Sequence, residues 1–184
     1  MQRTLHLAIP LLFLAMPIAA QAQLSEQPAH QPLSSADKDF LTYAAKDNHA
    51  EIEACLLGEN KAVDQAVKAF SRLMVDDHVQ IASHLALLAN TEGFEVPNGI
   101  GQEGQETMSK MQALEGKNFD RQFMQHQVTD HEHDLQKLRQ IESQTQNNGV
   151  RRYVWETYPI LQQHLALAKA VASAIDEQSK RAAR

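Results

Sequence analysis

Four residues of ligand type interrupt helical stripes that are otherwise apolar: Glu51, His78, His131 and His164. His78 stands four after Met74 and three before Ile81, His131 three after Val128 and four before Leu135, and His164 three after Leu161 and four before Ala168. Positions three and four apart share a helix face, so each imidazole points where its apolar neighbours point. Glu51, seven after Ala44 and four before Cys55, lies at the edge of its stripe. Three neutral imidazoles and one carboxylate from four helices would form a closed or nearly closed site for one divalent metal ion, Zn, Cu or Fe(II). The competing reading is a buried polar network without metal, in which Glu51 is hydrogen-bonded to one imidazole and the others reach backbone or water. A di-iron centre fits poorly: such sites use a Glu-x-x-His step on two helices, and no histidine here has Glu three residues before it.

Other polar clusters read more plainly. In DHEHD, Asp130 to Asp134, His126, Asp130 and His133 share one face, which reads as a solvated surface, with a surface metal or pH-sensitive patch as the alternative. His131 and His133 diverge by about 200° and cannot both face inward. Asp76 and Asp77 read as a charged outer face rather than as acceptors behind a histidine. The methionines at 74, 108, 111 and 124 are too scattered for a thioether copper site. Cys55, the only cysteine, sits among Ala54, Leu56 and Leu57 and reads as a small buried residue. No histidine is placed to activate it, so no catalytic residue is assigned.

The elements that must position these residues are helices. Of 184 residues, 43% are hydrophobic and only 5% aromatic, with seven glycines and six prolines, too few strand and turn formers for a sandwich or barrel. Ser34 or Ser35 caps a first helix that runs to about Lys61, with Asp37 and Asp39 in its first turn. Asp64 caps a second helix, which stops before Gly93. From Gly93 to Asn118 the chain is a crossover, turn-rich at FEVPNGIGQEGQ and then a short helix in ETMSKMQALEG. Asn118 is the expected cap of the third long helix, which ends at QTQNNG with Asn148-Gly149 as its stop. The last helix spans about Val150 to Ala174, with a kink expected near Trp155 to Pro159. Two short turns and one long crossover predict an all-α fold: an antiparallel four-helix bundle of ferritin-like connectivity, with a short extra helix in the crossover.

Height along the bundle decides whether the four residues meet. Measured from a first turn near Val63 to Asp64, Glu51 and His78 differ by only about 3 Å at a rise of about 1.5 Å per residue. Measured from a second turn near Asn148, His131 and His164 agree within about 2 Å. The expectation is one shared layer of Glu51, His78, His131 and His164.

Charge and leader bound the setting. The formal charge of −6 leaves no basic patch for nucleic acid. Residues 1–22 have the three parts of a secretory signal peptide: Arg3, an apolar run from Leu7 to Ala20, and Ala20-Gln21-Ala22 before the expected cleavage. That run is shorter than the ~20 residues of a spanning helix, and no cysteine follows it for lipidation. Residues 23–34 then form a mobile lead and 35–178 the bundle, in a periplasmic or secreted protein with no transmembrane segment after cleavage.

These motifs carry a resemblance. AEIE (Ala50 to Glu53), MVDDH (Met74 to His78), NFDRQF leading to QVTDH (Gln127 to His131), and YPILQQHLALA (Tyr158 to Ala168) occur in order between about Asp39 and Ala172. The chain resembles the exported bacterial ferritin-like family known as domain of unknown function 4142, often labelled outer-membrane or secreted. The resemblance implies that Glu51, His78, His131 and His164 match the family's recurrent acid and histidines, and that Phe119-Asp120 and Pro159 match its helix-start and kink positions. Asp64-Gln65 replaces the usual Asn-Pro, and His133 is additional. The family brings no activity. Three readings therefore stand: an exported metal-binding bundle, a structural or partner-binding bundle without metal, and a mononuclear-metal oxidoreductase.

Overall fold

The computed structural model describes residues 30–182; the expected signal peptide and residues 23–29 of the lead lie outside the described residues. Five helices and no strand occur among them: α1 Ser35–Lys61, α2 Gln65–Thr91, α3 Gly101–Gln112, α4 Gly116–Gln144 and α5 Asn148–Ala182. No described helix is long and apolar enough to cross a membrane.

The helix starts have local causes. Ser34 closes a capping box: its hydroxyl accepts from the Asp37 N–H at 3.1 Å, and the Asp37 carboxylate accepts from the Ser34 N–H at 2.8 Å. At α2, Asp64 accepts from the Ala66 N–H at 2.7 Å. The buried Asp120 carboxylate of α4 accepts from the N–H groups of Val63 and Asp64 at 3.1 and 2.8 Å, pinning the α1–α2 turn to a third helix.

Other boundaries correct the sequence reading. Helix α3 begins at Gly101 inside the stretch read as turns, because the positive φ of Gly99 and Gly101 completes the turn before Glu103 enters the first helical turn. Helix α4 begins at Gly116 (φ +56), so Asn118 lies within the helix and does not cap it. Asn148-Gly149 opens α5 instead of stopping α4: the Asn147 Oδ1 accepts from the Val150 N–H at 2.9 Å, and the Asn147 N–H donates to Thr145 Oγ1 at 3.1 Å. Helix α5 runs on through Pro159 to Ala182, past the expected end near Ala174.

Helix α1 packs chiefly on α2 and α4 chiefly on α5, while α2 meets α5 and α1 meets α4; α3 lies mainly against α1. The apolar interior is divided into two clusters. One gathers Leu41, Leu85, Leu138 and Val154 with their neighbours. The other gathers Phe70, Met74, Phe119, Phe123 and Ala168 with theirs. Along α2 the division falls between Met74 and Ile81, and along α5 between Leu161 and Ala168. Buried polar residues fill it, among them Asn48, Glu51, His78, Gln127, His131 and His164.

Gly58 shows how closely the second cluster is packed. A Cβ there would stand 2.4 Å from Ser71 Oγ and 2.8 Å from the Phe123 ring, so α1 approaches α2 and α4 only because that atom is missing. Gly58→Ala should therefore destabilise the fold by about 1–3 kcal/mol by overpacking, although alanine is the better helix former. Urea unfolding measures it, and equal or greater stability would show that the contact yields freely.

Candidate metal centre

His78 of α2, His131 of α4 and His164 of α5 converge in the polar layer, only 3%, 0% and 2% exposed. Their ring centroids are 5.3–5.7 Å apart. One nitrogen from each ring lies within 4.8 Å of the others, and His131 Nε2 stands 3.4 Å from His164 Nδ1.

The groups behind the rings determine where the protons sit. Asn48 donates through Nδ2 to the His78 carbonyl at 2.9 Å, which turns its Oδ1 toward His78 Nδ1 at 2.8 Å. His131 Nδ1 faces the Gln127 carbonyl at 2.9 Å, and His164 Nε2 faces Asp77 Oδ2 at 2.9 Å. A carbonyl or carboxylate oxygen only accepts, so each of these ring nitrogens carries the N–H. In the neutral rings, His78 Nε2, His131 Nε2 and His164 Nδ1 then hold lone pairs, and His78 Nε2 has no hydrogen-bond partner.

Burial keeps the rings neutral. It lowers His78 well below the ordinary imidazole value, helped by repulsion from His131 and His164. Burial, reinforced by His164, brings His131 down to about 4. His164 is also lowered by burial, against the opposing pull of Asp77.

Glu51 is buried, 2% exposed, but stands outside this trio. Its Oε1 accepts from Gln127 Nε2 at 3.2 Å and lies 3.9 Å from His126 Nε2. The α1 residue level with His78 is Asn48: the two are equally far in sequence from Val63, the middle of the α1–α2 turn. Glu51 is three residues, about 4.5 Å, nearer that turn. Asn48 was missed because a neutral amide on a helix stripe carries no ligand signal. Asp77, read as part of an outer face, is half-buried and accepts the His164 N–H, while its neighbour Asp76 is exposed.

The face read as solvated also differs. His126 and Asp130 are half-buried and group with Glu51, whereas His133 is exposed. They line a cleft of about 340 Å³ between α1, α3 and α4, together with Tyr43 and Asp47. Tyr43 donates to Asp134 Oδ1 at 2.6 Å. Burial, then Asp130, raises Glu51 well above the usual carboxylate range; burial, then Asp134, does the same for Asp47. Cys55 is buried with its Sγ 3.9 Å from Glu51 Oε2, and burial raises its thiol, away from the reactive thiolate form.

Fold and site together define an all-helical protein with a buried histidine cluster between two apolar half-cores. The family described as "Domain of unknown function (DUF4142)" matches residues 22–171, and the chain belongs to it. No curated protein matches the chain, and no solved structure does.

The acidic residues have a measurable pH signature. Burial, then Asp130, pushes Asp134 up to about 7 from an ordinary 3.8. Between these values the folded protein keeps a proton that the unfolded chain releases, so this group's contribution to stability falls as pH rises from about 4 to about 7. Asp134→Asn should gain stability relative to wild type across that window and hold the difference above it. Urea unfolding at several pH values tests this; a pH-independent difference would contradict it.

Proposed function

We propose that this protein is an exported, ferritin-like helical bundle that binds one divalent metal ion through His78, His131 and His164. The observation that carries the reading is the convergence of three imidazole lone pairs whose opposite nitrogens are each held by a fixed oxygen. Such backing by carbonyl and carboxylate is what orients metal-binding histidines. The 3.4 Å between His131 Nε2 and His164 Nδ1 is about the separation of two nitrogens on a tetrahedral ion with bonds of roughly 2.0–2.1 Å. Without metal, His78 Nε2 remains a buried acceptor with no partner, at a cost of about 1–3 kcal/mol.

All-nitrogen donors favour Zn, Cu or Fe(II) over harder ions. Three protein ligands leave a fourth position for water or an external ligand. Glu51, expected to complete the set, is left to the acidic cleft. The short α1–α2 and α4–α5 turns, with the long α2–α4 segment, support an antiparallel four-helix bundle. The signal-like residues 1–22 support export to the periplasm or beyond, where the protein acts as a binding module.

Calorimetric titration of metal-stripped protein with Zn, Cu and Fe(II) tests the reading. One equivalent should bind and raise the melting temperature. His131→Ala should abolish both effects, and His133→Ala should leave them. Because burial lowers the imidazoles, protons compete only well below the ordinary value of about 6.5, so affinity should persist at pH 6 and collapse toward pH 4. No stoichiometric binding at neutral pH by any of the three metals would overturn the proposal.

A further inference from the structure

We infer that the cleft between α1, α3 and α4 is a second cation site, separate from the three histidines, in which Glu51, Asp130 and His126 take a harder divalent ion of the Mn²⁺ class. One ligand atom from each of the three lies within 4.8 Å of the others. Ligands about 2.1–2.2 Å from one ion stand roughly 3–4.3 Å apart, so side-chain adjustments of less than about 1 Å close the set.

Two further features point to a ligand. Gln127, 0% exposed, brings its amide to Glu51 through Nε2 and leaves Oε1 without a partner. The amide stands against Glu51, so its rotation would turn that unpartnered oxygen, a ligand type suited to a hard cation, toward an ion held there. The cleft also gathers carboxyl groups that a cation could displace protons from: Asp47, Glu51 and Asp130 line it and Asp134 adjoins them. Among the described residues, none of the four has a lysine or arginine in ion-pair contact; Lys46 stands at the wall and Lys137 lies over the Tyr43 ring. The volume of about 340 Å³ admits water to complete the coordination shell.

Donor chemistry separates the two sites. Two carboxylates and one imidazole, with the Gln127 amide beside Glu51, suit Mn²⁺, whereas the all-nitrogen trio suits softer ions. They are also distinct in space, since Glu51 belongs to the cleft group and Asn48, not Glu51, stands behind His78.

Mn²⁺ binding to metal-stripped protein, followed by loss of the aqueous Mn²⁺ electron paramagnetic resonance signal, tests the inference, with Co²⁺ absorption bands reporting on the histidines. Wild type should bind one Mn²⁺. Glu51→Gln, and separately Asp130→Asn, should weaken Mn²⁺ by about tenfold or more, a change of about 1.4 kcal/mol, and leave the Co²⁺ bands unchanged. His164→Ala should do the reverse, and melting curves confirm that each variant is folded. Absence of Mn²⁺ binding at millimolar concentration would show that the cleft takes only protons and overturn the inference. So would loss of Mn²⁺ in His164→Ala with retention in both carboxylate variants. Either failure leaves the Co²⁺ result, and with it the histidine reading, standing on its own.

Discussion

One requirement organises this bundle: a polar layer inside an apolar interior must hold the N–H of each buried imidazole on a protein oxygen. Hydrophobic packing alone would let four helices slide along one another with little change in buried area. A ring nitrogen facing nothing costs about 1–3 kcal/mol, and a slip of one turn moves each ring about 5.4 Å from its acceptor. Asn48, the Gln127 carbonyl and Asp77 each engage one ring. Two of these contacts, Asn48 to His78 and Asp77 to His164, cross between helices. The layer thus sets registers that the leucines and phenylalanines on either side leave loose.

The turns serve the same register. Asp64 begins α2, and Asp120 holds the two N–H groups at that turn from across the bundle. Helix-capping bonds of this kind are worth about 1 kcal/mol each, small beside the core, yet they fix Val63 as the midpoint from which Asn48 and His78 reach equal height. At the other end, Asn147 caps α5 and also donates through Nδ2 to the Gln31 carbonyl at 2.6 Å, tying the segment before α1 to the α4–α5 turn.

Periodicity explains what was legible in the sequence. Spacings of three and four placed His78, His131 and His164 on inward faces, and side-chain chemistry marked Ser34 and Asp64 as helix starts. Periodicity reports a face, however, and never the partner across the gap. Glu51, at the edge of its stripe in the sequence, is buried, but three residues of axial error give its place beside His78 to Asn48. Asp77 looked solvated because its own helix turns it partly outward; only the position of α5 brings His164 to it. The start of α4 and the extra length of α5 escaped for a related reason. Glycines at positive φ and a continuous run of good helix formers extend a helix beyond the residues whose burial signals it.

Helix α4 carries both polar constellations, and its geometry explains why they remain separate. Successive side chains diverge by about 100°, so His126 and Asp130 turn to the cleft while Gln127 and His131, each one residue later, turn to the layer between the half-cores. Gln127 joins the two: its carbonyl accepts the His131 N–H and its side-chain amide donates to Glu51. The constellations meet the cost of burial in opposite ways. Desolvation lowers the imidazoles and raises the carboxylates, so each set is driven toward its neutral form by burial. Neutral imidazoles are ready to donate lone pairs, whereas a neutral carboxyl must first lose its proton. The histidine layer therefore presents its lone pairs at neutral pH, while the acidic cleft would have to exchange protons for any cation it took.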